Sequence, residues 1–442
     1  MTRLRIDLLS PPFAGHLHPI LGIARILQSD YEVRVLTTAN ALPSVRAAGL
    51  TGVAVLEGWE DRLMTLVNTP HPVRSNPLRM LKQLSQALTI QRQVRIELNA
   101  LYEASRPALV IADFTLAAVG AVAEGLGISW WTVLPSPSVL EGGNAPPSYL
   151  GGLKPMSGVW GRLRNRVGWS LIRAFKRLVS TLYRKRLRDI GLKSVYRPDG
   201  SEAAYSNERI LLLGSQSIEF RDDWPECARL LPPILYTPPS TSENLDFIEG
   251  RQYVLVTLGT HLKFAKDDFV EVIKNLAHDM PEVSFHFTDG LTGSASATHE
   301  RNFSRFPYIN YSDSLKHYSL VVHHAGSGIM YHCLVAGCPS VVYPVDYDQF
   351  DNAARLEWAG AAIWLRHPED LKAAVTLVLS DHSIRSRCLE LAKELDLDSG
   401  TPLKAELASW ARTTLVRDNR DQRSAGSVDG LAKIGEARTG DR

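Results

Sequence analysis

"LVVHHAGSGIMYHCLVAGCP", residues 320–339, reads as three elements in succession. An apolar strand ends at His323–His324, a small-residue loop Ala325-Gly326-Ser327-Gly328 follows, and a helical run begins at Ile329. The strand shows no polar alternation, which marks a strand covered by helices on both faces of a parallel sheet. Glycines let a backbone approach a ligand closely, and the start of a helix turns unpaired N–H groups and partial positive charge toward it. An anionic phosphate is the natural occupant, with His324 placed to donate a further hydrogen bond. The competing reading is a tight strand-to-helix turn over a capped helix.

The same rhythm extends in both directions. Apolar strand-like runs occur at 4–10, 32–38, 52–57, 108–114, 129–135 and 209–215, with helical patterns between several of them, such as "HPILGIARILQSD" and "LAAVGAVAEGLG". After the Pro-rich "LLPPILYTPPSTSEN" (230–244) the rhythm restarts at 253–260, 283–289, 308–313, 319–326, 339–345 and 361–365. The expected fold class is α/β: two Rossmann-like, doubly wound parallel-sheet domains in tandem, facing across a cleft between the carboxyl ends of their strands. The expected divisions are an N-terminal domain at 1–235, a linker at 236–250, a C-terminal domain at 251–416, and a polar, aperiodic, disordered tail at 417–442.

Composition agrees with this. The chain's 442 residues exceed one ordinary core, and 45% hydrophobic with 22% charged residues is the balance of a globular protein. A net charge of +2 argues against a nucleic-acid partner for the chain as a whole. No apolar run reaches the roughly 18–20 residues of a membrane span, and "MTRLRIDLLSPP" lacks the apolar core of a signal peptide. Four cysteines form no disulfide framework, so a reducing, cytoplasmic setting is expected. Cys333 and Cys338 read as buried thiols rather than as half of a zinc site.

A second motif follows the first. In "YPVDYDQFDNAARLEWAG" (343–360), Pro344 ends a strand and Asp346, Asp348, Gln349, Asp351 and Asn352 crowd one turn. Carboxylate and amide groups together read adjacent sugar hydroxyls. The alternatives are N-capping by Asp348 or Asp351, or an Asp346-x-Asp348 pair holding a divalent cation. A third motif, "SPPFAGHLHPILGIARIL" (10–27), places His16 and His18 at the tip of the first strand–loop–helix unit.

Taken together, the run Leu320–Asn352 resembles the donor-binding signature of the family 1 glycosyltransferases. That pattern is His-x-Gly with a small-residue loop, a helix, an apolar strand ending in Pro, then Asp-Gln with Asn three residues on. Here these are His324, Gly326, Pro344, Asp348-Gln349 and Asn352. "GHLHP" resembles the family's Gly-His-x-x-Pro loop. The resemblance implies the GT-B fold and inverting transfer of a hexosyl group from a UDP- or dTDP-sugar to a hydroxyl of a small, hydrophobic acceptor, with neither metal nor cofactor. It implies that His16 is the general base and that Asp113, in "VIADF", orients it. Gly259 and Thr260 of "VTLGTH" would approach the diphosphate, as would the helix start at Gly326, Ser327 and Gly328, and Tyr308 would stack on the nucleotide base. Ile329 stands where many bacterial members carry Thr, with Ser327 as compensation. His18 receives no role. Competing functions on this fold are a sugar-nucleotide 2-epimerase and a non-catalytic nucleotide-sugar-binding protein.

Residues 160–193 stand apart, with eleven Lys/Arg and one acid interleaved with Trp160, Trp169, Phe175 and Leu178. They read either as solvated helices or as a peripheral contact with the inner membrane face.

Overall fold

A computed structural model describes residues 3–69, 71–73, 76–142, 144–239, 245–260, 263–290, 296–395 and 397–413. The chain forms one compact unit through Leu397, and the described residues beyond it are helical over 400–413.

Within the compact unit lie two seven-stranded sheets. The first is built from β1 (Arg5–Leu9), β2 (Glu32–Thr37), β3 (Thr51–Ala54), β4 (Leu109–Asp113), β5 (Ser129–Leu134), β6 (Arg209–Leu213) and β7 (Ala228–Leu231), in the order β3-β2-β1-β4-β5-β6-β7. The second is built from β8 (Gln252–Thr257), β9 (Val283–Thr288), β10 (Thr298–Glu300), β11 (Phe303–Phe306), β12 (Leu320–His323), β13 (Ser340–Val342) and β14 (Ala362–Trp364), in the order β10-β11-β9-β8-β12-β13-β14. All pairings are parallel except the β10–β11 edge. The central strands are buried almost throughout (Leu109–Asp113 and Val283–Thr288 entirely), which explains their unbroken apolar runs.

Strand order decides where chemistry can occur. In the first sheet the connections reverse direction between β1 and β4, where Leu9 pairs with Ala112. In the second they reverse between β8 and β12, where Thr257 pairs with His323. At each reversal the loops leaving two adjacent strands diverge and open a crevice.

Several expectations need correction. The run 308–313 is not a strand: Pro307 follows β11, and Asn310 caps a short helix, Tyr311–Ser314, by accepting from the Asp313 N–H. The helix after the small-residue loop begins at Ser327 rather than Ile329. Strands β7, β10 and β11 lie outside the apolar runs read from the sequence. The described parts of 236–250 contain neither strand nor helix, and the tail at 417–442 lies outside the described residues. No helix among the described residues is long and apolar enough to cross a membrane.

Candidate functional site

Strands β1 and β4 bring His16 and Asp113 together. The helix Ala14–Leu27 starts directly after Phe13, so His16 lies in its first turn. Asp113 is the last residue of β4 and is buried, while the His16 side chain keeps 27% of its surface exposed. His16 Nδ1 lies 2.9 Å from Asp113 Oδ2. A carboxylate accepts only, so Nδ1 carries the proton and Nε2 presents its lone pair. Thr115 holds the second oxygen, Oδ1, through its N–H (3.0 Å) and hydroxyl (2.5 Å). Asp-x-Thr spacing of this kind closes a local side-chain turn. Burial by itself lowers the His16 pKa. The Asp113 charge and hydrogen bond, with the more distant charge of Asp348, outweigh burial and raise it above the ordinary 6.5.

Strands β8 and β12 bring Gly259 and His324 together. A Cβ at Gly259, whose φ is +74°, would sit 2.8 Å from the His324 ring, and one at Gly326 would sit 2.4 Å from it. The imidazole is therefore sandwiched between two backbones that only glycine can supply. Thr260 follows at the same rim, half-buried. Ala325 takes a left-handed φ of +62°, costly for a residue with a Cβ, and is pinned on both sides. Its N–H donates to His323 Nδ1 (3.0 Å), and its carbonyl accepts from Asn352 Nδ2 (3.0 Å). Burial pushes His323 down to about 3, with neighbouring His324 adding to it, so His323 is a neutral structural acceptor. Gly326 precedes the helix Ser327–Val335 without a side-chain cap, and Gly328 is exposed, which leaves the first N–H groups facing the crevice. Ile329 is buried in the core with Tyr253 and Leu255, as are the thiols Cys333 and Cys338, so Ile329 serves packing here.

The acidic turn after β13 divides its side chains between two tasks. Asp348 precedes the helix Gln349–Trp358 but makes no capping bond, and Asp351 bonds elsewhere, so neither caps. Asp348 is half-buried and contributes charge at His16. Gln349 Oε1 accepts from the Val345 and Asp346 N–H groups (2.8 and 3.0 Å), bonds that do not engage its amide N–H₂. The other members tie the turn to the first sheet's loops. Asp346 accepts from the Val73 N–H at 2.5 Å, Asp351 from the Tyr149 N–H at 2.8 Å, and Asn352 Oδ1 from the Ser136 hydroxyl at 3.2 Å. Nearby, Arg355 pairs with Glu219 at 2.9 Å, both buried. Burial raises the Asp351 pKa to about 6 against the opposing Tyr149 N–H and Arg355.

Two further residues lie beside Tyr236. Tyr308, half-buried beyond β11, neighbours Tyr311 and Tyr236, and burial pushes its hydroxyl pKa up. His18 packs edge-on against Tyr236 with ring centroids 5.6 Å apart, and burial pushes its pKa down to about 4. It also acts on the charge of His332. His18 therefore packs between the two halves as a neutral ring. Among the described residues, no group of three or more His, Cys, Asp or Glu is placed to hold a metal ion.

Residues 296–409 match the family described as "Erythromycin biosynthesis protein CIII-like, C-terminal domain". The chain is 28% identical to 4'-demethylrebeccamycin synthase of Lentzea aerocolonigenes, across 88% of this chain and 95% of that one. It is also 28% identical to UDP-glycosyltransferase 2 of Phaeomoniella chlamydospora, across 55% of this chain, and spans a little over half (57%) of that relative. In structure it superposes on the glycotransferase of kitacinnamycin with a TM-score of 0.70 at 20% identity, covering 92% of this chain and 99% of that one.

Proposed function

We propose that this chain, a family 1 glycosyltransferase with the GT-B fold, moves a hexosyl group from a UDP- or dTDP-sugar to a hydroxyl of a small, hydrophobic acceptor with inversion at the anomeric carbon. One observation carries the reading: a buried Asp113 carboxylate holds His16 by Nδ1, at the rim that the Asp348 charge reaches from the other sheet. His16 Nε2 takes the proton from the acceptor hydroxyl as its oxygen attacks, and the imidazolium formed is stabilised by Asp113. The departing diphosphate is met by the N–H groups at the start of Ser327–Val335, by His324 and by the backbone at Gly259–Thr260. Asp348 and the Gln349 amide hold sugar hydroxyls and so aim the anomeric carbon. Tyr308 is assigned to the nucleotide base. Asn352 fixes the strained Ala325 and acts as a positioning residue. The reading needs no metal or cofactor.

The test is nucleoside diphosphate release from a panel of UDP- and dTDP-sugars, with and without added hydroxyl acceptors. Release that depends on acceptor supports transfer, and product stereochemistry reports inversion. His16→Ala is expected to lose about 10²–10⁴-fold in transfer while keeping nucleotide binding by thermal shift. Near-normal turnover by that variant on a hydroxyl acceptor would remove His16 from the mechanism, and epimer formation without acceptor would replace transfer altogether.

A further inference from the structure

The helix Gly158–Leu182 carries an apolar face that no described residue covers. Trp160 is 75% exposed, Leu171 63% and Leu182 64%, and Leu163, Val167 and Leu178 are exposed with them. At 100° per residue these six fall within an arc of about 100°. The opposite face is buried: Asn165 donates to the Asn144 carbonyl (2.7 Å), and the Trp169 indole N–H donates to the Ala145 carbonyl (3.1 Å). Between the two faces runs a third, with Arg162, Arg166 and Arg177 exposed along it. The helix contains no acidic residue, and exposed Arg184, Lys185 and Arg188 continue the positive charge on the next helix, Arg184–Asp189.

We propose that this face docks the protein on an anionic lipid bilayer, with the helix lying in the interface plane. A soluble surface does not sustain a stripe of six large apolar side chains without a partner. The flanking guanidinium groups select that partner: a negatively charged, apolar-cored surface satisfies both faces at once, whereas a second copy would bring like charges together. The docked helix also sets an orientation. Its buried face is fastened to 144–145, and the same loop continues to Tyr149, whose N–H is held by Asp351. Tyr149 and Leu150 are exposed beside the stripe. Docking therefore brings the acceptor side of the site toward lipid, where a hydrophobic acceptor partitions. This last step rests on the glycosyl-transfer reading, whereas vesicle binding does not, so the two fail separately.

The experiment is co-sedimentation of the full chain with vesicles of phosphatidylcholine alone or of phosphatidylcholine with phosphatidylglycerol. Binding is expected to the anionic vesicles only. It should weaken by about fivefold for each charge lost, and should fall as salt rises from about 0.1 to about 1 M and the screening length shrinks from about 10 to about 3 Å. Arg162→Glu with Arg166→Glu, and separately Leu163→Asp with Leu171→Asp, should each cut the partition coefficient at least about tenfold. Both variants should keep the thermal-shift response to UDP or dTDP. Trp emission should shift to the blue on anionic vesicles, and Trp160→Phe should remove that component. Binding indifferent to anionic lipid overturns the proposal. So does wild-type protein that ignores vesicles while its leucine variant converts a dimer to a monomer in sedimentation velocity.

Discussion

At the scale of single residues, the His16 pKa is set by two carboxylates with different duties. Asp113 touches the ring and fixes its tautomer, while Asp348 acts on it only through charge. A general base must be neutral, and His16 titrates above 6.5, so kcat/KM is expected to rise with pH on an acid limb placed above that value. Asp113→Asn removes the larger opposing charge and leaves burial, so the limb should move to lower pH while kcat falls by about 10²-fold or more. Asp348→Asn should move the limb the same way and also raise the donor KM, a pairing that pH profiles at varied donor concentration would show. An unmoved limb in both variants would detach these carboxylates from the base. His16, Asp113, His324, Gly326 and Asp348 were legible in the sequence because each stands in a local motif. The role of Asn352 was not, because its partners Ser136 and Ala325 lie 216 and 27 positions away. Nor was that of Thr115, whose meaning depends on which oxygen of Asp113 is already taken.

At the scale of elements, the helix Gln349–Trp358 and the turn before it combine groups proposed to meet the donor with groups that bond the fold together. The pattern of "DYDQFDN" announced polar chemistry but did not show which oxygens were already engaged. Asp351 illustrates the cost. Its folded pKa of about 6 lies above the carboxylate reference of 3.8, so folding takes up a proton, and stability is lost as pH rises through that window. Asp351→Asn keeps an acceptor for the Tyr149 N–H without the buried charge. Relative to wild type, the variant should be equally stable near pH 4 and more stable at pH 7, by on the order of 3 kcal/mol. Denaturant melts of both proteins at the two pH values measure this. The misread strand at 308–313 has a similar origin: its place in the restarted strand rhythm suggested a strand, but Asn310 as a helix cap outweighed the pattern.

At the scale of the whole molecule, tandem βαβ rhythm was enough to foretell two parallel-dominated sheets. What joins them was not legible, since it consists of single side chains distant in sequence. One buried joint is Arg355–Glu219, whose guanidinium also lies 4.4 Å from the Phe220 ring centroid. Glu219→Ala strands a buried cation, so a loss of about 3–5 kcal/mol is expected, together with separation of one calorimetric transition into two. A single unshifted transition would show that the sheets cohere by other means. Strand order has a further consequence, in the time domain. His16 and Asp113 are 97 residues apart and meet when β1 pairs with β4, across the intervening β2, β3 and the 28-residue helix Pro77–Ala104. Loop closure over that length is slow compared with helix formation. During refolding, far-ultraviolet helical signal should therefore return well ahead of transfer activity, and the delay measures how long the chain waits for its most distant parallel pairing.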